Sequence, residues 1–234
     1  LHSWGYWTEP EPHLDGRKLY WPRGKVVGGS SSINSMIYIR GHARDYDTWA
    51  QLGNRGWSWD DVLPYFRRSE GHLERPADDL HGTGGPLKVE RGHGDNQLYD
   101  VFFAAGKQAG YPWNDDFNGP EQEGVGRYDF TIRDGRRASA AACYLRPALK
   151  RPNLTVETRA LTHRVIVENG RATGVEYYRE GTLQRVAAER EVLLSGGALN
   201  SPQVLMLSGI GDPQELAAHG IPVTHALPGV GRDL

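Results

Sequence analysis

Two glycine-rich stretches carry the residue types that could hold a ligand. The first is Arg23-Gly24-Lys25-Val26-Val27-Gly28-Gly29-Ser30-Ser31-Ser32-Ile33-Asn34-Ser35-Met36-Ile37. Adjacent glycines let a backbone approach a bulky flat or phosphorylated ligand with no Cβ in the way, and the N–H groups and hydroxyls that follow can hydrogen-bond it. The second is Gly196-Gly197-Ala198-Leu199-Asn200-Ser201-Pro202, running on to Gly209-Ile210-Gly211. A strand that delivers a glycine turn to a helix N-terminus offers a resting place for a phosphate or ribose against backbone dipoles. Each stretch also has a plain structural reading, a flexible loop for the first and close strand–helix packing for the second.

Reactive side chains are sparse by comparison. The 9 histidines are scattered; His81 and His93 lie in glycine-rich loops, His163 in a strand segment and His219 near a helix end, and all are read as surface or loop residues. None is nominated as catalytic. Cys143 is the only cysteine, which excludes an intrachain disulfide and a multi-cysteine metal site, and it is read as an ordinary packed thiol. His81-Gly82-Thr83-Gly84-Gly85 superficially suggests a serine hydrolase, but no G-x-S-x-G elbow exists. The basic residues between Arg133 and Arg137 are interrupted by Asp134 and Gly135, the pattern of a solvated turn. A dinucleotide fingerprint between strand and helix is also missing, because Gly209-Ile210-Gly211 follows a helix and Gly124-Val125-Gly126 runs into Arg127-Tyr128-Asp129.

The elements that must position these groups read as a loop-rich mixed α/β (α+β) fold. The sequence has 234 residues, with Gly 30, Pro 14 and 38% hydrophobic residues, which favours turns and tight backbone approaches over a helical bundle. A net charge of -2 gives no global reason to expect nucleic acid, and no apolar run reaches the ~20 residues of a membrane span. The start, Leu1-His2-Ser3-Trp4, has no signal-peptide pattern, and neither end is tail-like, so the sequence is expected to be an internal piece of something longer.

Helices are predicted from a cap at Asp45 to Leu52, and after Ser58 despite Pro64. A strand is predicted over Pro86 to Glu90. A further helix, after Asp95 and before Gly110, carries Leu98, Val101, Phe102, Ala105 and Ala109 on one apolar face. Pro112 to Gly126 is a long loop, and Ala138 to Ala142 is a small-residue run suited to a closely packed helix. Asn169-Gly170 and Glu180-Gly181 predict the tight turns of an antiparallel meander. The consecutive apolar residues of Glu191 to Ser195 predict a strand covered on both faces, followed by a helix capped by Ser201 with Pro202 in its first turn. Asp212-Pro213 opens a last helix, ended by Gly220.

Both glycine stretches, with the sequence between them, resemble the glucose-methanol-choline (GMC) oxidoreductases, in particular the choline-dehydrogenase-like branch. The likeness includes Glu9-Pro10-Glu11-Pro12, Arg40-Gly41 with Asp45-Tyr46-Asp47, Gly56-Trp57, His81-Gly82, Gly85-Pro86-Leu87, Gly135-Arg136-Arg137-Ala138-Ser139 and Leu227-Pro228-Gly229-Val230-Gly231. It implies an FAD-binding domain interleaved with a substrate-binding domain: residues 1–44 the flavin-side loop, 45–135 substrate-side and connecting structure, and 136–234 the meander and strand-turn-helix of the FAD domain. By position, Val26, Ser30, Asn34, Ser35, Met36 and Ile37 would line the flavin ring and pyrophosphate, and the Thr162 backbone would contact adenine.

The implied activity is oxidation of the CH–OH group of an alcohol, choline-like or another primary alcohol, by hydride transfer to FAD. Some relatives carry at the position of Ile33 a histidine bonded to flavin, so FAD is expected to be non-covalent here. The catalytic histidine motif of the family matches nothing in the sequence. With the dinucleotide fingerprint missing as well, a lone chain is expected to bind FAD weakly or not at all and to be inactive. The expected partners are a small-molecule alcohol and an unspecified electron acceptor, with no nucleic acid and no transmembrane segment. The expected location is cytoplasmic or peripheral on a membrane. The competing reading is a non-catalytic interaction module or a degenerate homologue without flavin.

Overall fold

The computed structural model describes residues 2–232 and 234. It divides into two compact units, Leu1–Thr155 and Val156–Leu234. The first opens with an antiparallel ribbon of β1 (Tyr6–Trp7) and β2 (Tyr20–Trp21). A 3₁₀ turn at Gly29–Ser32 leads to β3 (Ile37–Tyr38), then to α1 (Ala43–Gln51) and α2 (Trp59–Ser69). After these come β4 (Glu70–His72), β5 (Leu87–Arg91), α3 (Gln97–Gln108) and β6 (Asp129–Phe130). A hairpin of β7 (Ile132–Arg133) and β8 (Arg136–Arg137) precedes a π-helical turn (Ala141–Leu145) and the short α4 (Arg146–Ala148). Strands β3, β6, β5 and β4 lie side by side in that order, with only the β4–β5 pair parallel.

Capping chemistry sets the helix starts. Ser58 caps α2 as expected, accepting from the Asp61 N–H while Asp61 accepts from the Ser58 N–H, and Asp60 and Asp61 suit the positive end of the helix. The cap of α1 is His42 rather than Asp45. His42 Nδ1 accepts from the Arg44 N–H at 3.1 Å, and Asp45 closes the box from inside the helix by accepting from the His42 N–H at 2.8 Å. Asn96, not Asp95, caps α3. Tyr46 ties α1 to α2 through ring contacts with Trp59 and Phe66, both at 5.7 Å between centroids.

The apolar face of α3 does not enter a core. Leu98 is 71% exposed and Phe102 63%. The helix instead docks on the 112–126 loop through Phe103, whose ring meets Trp113 edge-on at 5.2 Å, and through Gly106, where an added Cβ would sit 2.6 Å from Val125. Periodicity fixes which residues share a face, but only a neighbour decides whether that face is covered.

The second unit contains the predicted meander: β9 (Leu161–Glu168), β10 (Arg171–Arg179) and β11 (Thr182–Ala187), in the order β11-β10-β9. Both turns need left-handed backbone at two positions, and Asn169 (φ 51), Gly170 (φ 75), Glu180 (φ 51) and Gly181 (φ 77) supply it. Glu176 in β10 stands opposite Arg164 and Arg185 on the flanking strands and pairs with both, at 2.5 and 2.6 Å.

Two expectations fail next to the meander. Glu191 to Ser195 is not a strand, and Leu193 is 79% exposed; a strand requires a partner ladder, and no described strand lies against this segment. The following helix, α5 (Gly197–Leu207), starts four residues before Ser201-Pro202, with Gly196 as its cap and Pro202 inside it. Ser208 fastens its end to the meander by accepting from the Val165 N–H at 2.8 Å. β12 (Ile210–Gly211), α6 (Pro213–Ala218) and β13 (His225–Ala226) follow, and Asp212 caps α6 as expected.

Candidate functional site

The loop from Arg23 to Ile37 is built by its own small residues. A Cβ on Gly24 would lie 2.3 Å from the Gly29 carbonyl, and one on Gly28 would lie 2.5 Å from Ser32 Oγ and 3.0 Å from the Ala141 Cβ. Gly28 also has φ 92, which an L side chain adopts only with strain. Ser31 donates to the Gly28 carbonyl at 2.5 Å and Ser32 to the Val27 carbonyl at 2.9 Å. Ser30 Oγ accepts from the Gly24 N–H at 3.1 Å. The three serines therefore act first as struts that curl the loop on itself.

Residues about a hundred positions later clamp it. Arg137 Nη1 donates to the carbonyl and to the side-chain oxygen of Asn34, both at 2.7 Å, and the Ala140 N–H donates to Ser31 Oγ at 2.9 Å. The Met36 carbonyl accepts from the Thr131 N–H at 2.7 Å and from its hydroxyl at 3.2 Å. Met36 is held at φ 64, a conformation rare for a long side chain and stabilised here by these contacts together with Asn34 Oδ1, which accepts from the Met36 N–H.

Of the predicted binding residues, Val26, Ser30, Asn34, Ser35, Met36 and Ile37 share this one loop and its exit strand. All are exposed except the half-buried Met36. Among the described residues, the N–H groups of Val26 and Ser35 and the side chain of Ser35 have no hydrogen-bond partner. A surface with two apolar side chains, open N–H donors and glycine approaches suits a large planar ligand with polar edges. Thr162 lies in the second unit, exposed on β9 opposite Tyr177 beside a register shift.

Behind the loop lies a buried ionic network that the histidine reading missed. Arg40, two residues beyond β3, donates Nη2 to Glu70 Oε2 at 2.7 Å, Nη1 to the Leu80 carbonyl at 2.7 Å, and its N–H to Asn118 at 2.8 Å. His81, read as a loop or surface residue, is 2% exposed. Its Nδ1 meets Glu70 at 3.1 Å and its Nε2 meets Asp116 at 2.8 Å. With a carboxylate on each ring nitrogen, the imidazole must donate from both and is therefore a cation. Burial opposes that charge, but the hydrogen bonds to Asp116 and Glu70 outweigh it and raise the His81 pKa to about 9. Burial likewise works against the Asp116 anion, yet His81 and the Asn118 N–H hold its pKa down at about 2. Asp116 also meets Arg75 at 3.7 Å, and Arg75 reaches Asp129 at 3.2 Å, so cations and carboxylates alternate through the network, which acts as a structural staple rather than a reactive group. A sequence signal existed in Arg40-Gly41 and His81-Gly82, but neither spacing reveals that they meet.

The first unit thus presents a glycine–serine loop clamped by Arg137, with backbone N–H donors at Val26 and Ser35 left open. The chain belongs to the GMC oxidoreductase family, whose sequence profile matches residues 11–234. It is 53% identical over 233 residues to human "Choline dehydrogenase, mitochondrial", covering 100% of this chain and 39% of that protein. It is also 53% identical to the "Oxygen-dependent choline dehydrogenase" of Sinorhizobium fredii, covering 42% of it. Among solved structures, pyridoxine 4-oxidase from Mesorbium loti aligns over 97% of this chain and 45% of its own, with 36% identity and a TM-score of 0.91. The chain thus spans about 40% of the length of the curated relatives. Family membership implies FAD as the cofactor, and the exposed loop with open donors fits it. Among the described residues there is no helix long and apolar enough to cross a membrane, and no cluster of side chains that could hold a metal ion.

Proposed function

We propose that this chain forms the flavin-side part of an FAD-dependent oxidoreductase that oxidises the CH–OH group of an alcohol, choline or another primary alcohol. The carrying observation is the Arg23–Ile37 loop, clamped by Arg137 with its outer surface left open. FAD, when bound, supplies the acceptor for the substrate hydride. Val26 and Ile37 would present apolar surface to the flavin ring, while the Ser35 and Val26 N–H groups and Ser30 would hydrogen-bond its polar edges or pyrophosphate. Thr162 would contact adenine through its backbone. Ile33 offers no nucleophile, so the cofactor is held non-covalently. No residue of the chain is assigned as the base that takes the hydroxyl proton.

In this reading residues 1–44 and 136–234 serve the cofactor and 45–135 the substrate side. The relatives' names support choline, and the pyridoxine 4-oxidase and a fungal aryl-alcohol oxidase (TM-score 0.90) support the wider class of alcohols. A cytoplasmic or membrane-peripheral setting is part of the proposal. The test is the visible spectrum of the full-length protein, since this chain alone is expected to bind FAD weakly or not at all, taken after desalting and then after acid precipitation. Flavin bands that survive desalting and pass into the acid supernatant support the reading. A colourless protein overturns it, and flavin that stays with the precipitate overturns non-covalent binding. Anaerobic bleaching by choline against benzyl alcohol then ranks the substrates.

A further inference from the structure

The basic stretch that reads as a solvated turn has partners the sequence does not show. Arg133 and Arg136 are the terminal cross-strand pair of the β7–β8 hairpin, so two guanidiniums stand directly opposite each other. Like charges in that relationship destabilise a hairpin unless something neutralises them. The carboxylate available is Asp134 in the turn, 3.2 Å from Arg133 and 84% exposed. The guanidinium of Arg136 has no hydrogen-bond or ion-pair partner among the described residues, and neither does that of Arg146 at the start of α4.

These groups face one cleft of about 800 Å³, into which β5 adds Lys88. Its cationic lining is Lys88, Arg133, Arg136, Arg137 and Arg146, against the single acid Asp134. Arg137 is committed to Asn34, Arg133 is partly neutralised, and Lys88 already donates to the Gly85 carbonyl at 2.8 Å. The remaining walls are apolar, including Pro86, Ala138, Ala142 and Pro147. A concave surface of one charge sign with low-dielectric walls concentrates its field inward, and paired guanidinium forks match phosphate oxygens. The volume is that of a small-molecule pocket.

We propose that this cleft is an anion site for a small phosphoanion carrying two or more charges, held between Arg136 and Arg146 with Lys88 at its floor. It is separate from the open surface of the Arg23–Ile37 loop and does not depend on the function assigned to that loop. A flat anionic surface would meet the exposed hairpin without filling the cleft, whereas a compact anion brings Arg136 and Arg146 together.

The test uses inorganic pyrophosphate and the holoprotein freed of excess FAD, with binding measured by equilibrium dialysis. Saturable binding of one equivalent that weakens as salt is raised, and weakens at least tenfold in R136E/R146E with flavin content unchanged, is the expected result. R146E alone, outside the hairpin, should weaken binding several-fold if the double variant folds poorly. Absence of saturable binding overturns the proposal, as does equal binding by wild type and R146E. So does sedimentation with phosphatidylglycerol vesicles that pyrophosphate fails to compete away, since that would place the attraction on the outer surface.

Discussion

Arg137 grips Asn34 twice with one nitrogen, at 2.7 Å to the carbonyl and 2.7 Å to the side-chain oxygen, and so joins the β7–β8 hairpin to the ligand-facing loop. Replacing Arg137 by alanine should weaken FAD retention by about tenfold, the scale of one lost charge-assisted hydrogen bond of about 1.5 kcal/mol at a partly exposed site. Flavin fluorescence titration checks this. Arg137→Lys should recover part of the loss, because both bonds to Asn34 come from one nitrogen and an ammonium can donate to both oxygens.

Gly28→Ala should be worse than its size suggests. The new Cβ would meet Ser32 Oγ and Ala141 while φ stays at 92, so clash and backbone strain add. A loss of about 2 kcal/mol or more in unfolding free energy is expected. Gly29→Ala makes a useful contrast, since nothing lies near its added Cβ and only the strain of φ 55 remains. Paired urea melts measure the difference.

His81 makes stability depend on alkaline pH. Its folded pKa of about 9 lies above the ordinary 6.5, so the stabilisation is complete below about pH 6.5 and is lost as pH rises through 9. Asp116, held at about 2 against an ordinary 3.8, contributes above about pH 4 and loses its contribution as pH falls through 2. Thermal midpoints should therefore plateau between about pH 4 and 6.5 and decline towards pH 9.5. In His81→Gln the alkaline decline should flatten while the plateau drops. An unchanged alkaline slope would remove His81 as its source.

The open face of α3 predicts a gain in solubility without loss of stability. L98Q/F102Q removes two large, mostly exposed apolar side chains, of which Phe102 keeps only an edge contact with Phe103 at 6.0 Å. Light scattering should show less self-association, and the thermal midpoint should move by no more than about 0.5 kcal/mol equivalent. A marked destabilisation would mean that this face is covered in solution.

Legibility in the sequence follows the range of the interaction. The meander turns at Asn169-Gly170 and Glu180-Gly181 are decided by the two residues themselves, and both form as predicted. Caps are nearly as local: at α1 the error lies only in which partner of a reciprocal pair stands outside the helix, whereas α5 begins at Gly197, ahead of the expected Ser201 cap. Glu191 to Ser195 fails because covering both faces of a strand is a property of its neighbours. The candidate loop is visible from its glycines and serines, since close backbone approach needs those residue types. Its clamp is not visible, because nothing about Arg137 alone says that it will reach Asn34 across 103 residues. The alternation of charges through Arg40, Glu70, His81, Asp116 and Arg75 is equally hidden, as residues from separate segments must be seen together.

The same separation of 103 residues sets a timetable for synthesis. At roughly 5–20 residues per second, the ribosome releases Asn34 about 5–20 s before Arg137 exists to hold it. The meander, by contrast, pairs neighbouring segments, and hairpins of that kind close in about 1–10 μs. During that interval the nascent loop has its serine struts but no clamp, and Met36 has no contact with Thr131 to hold its strained backbone. Under the proposed function, cofactor capture follows translation of the hairpin, and a ribosome paused between Asn34 and Arg137 would carry the loop without its clamp.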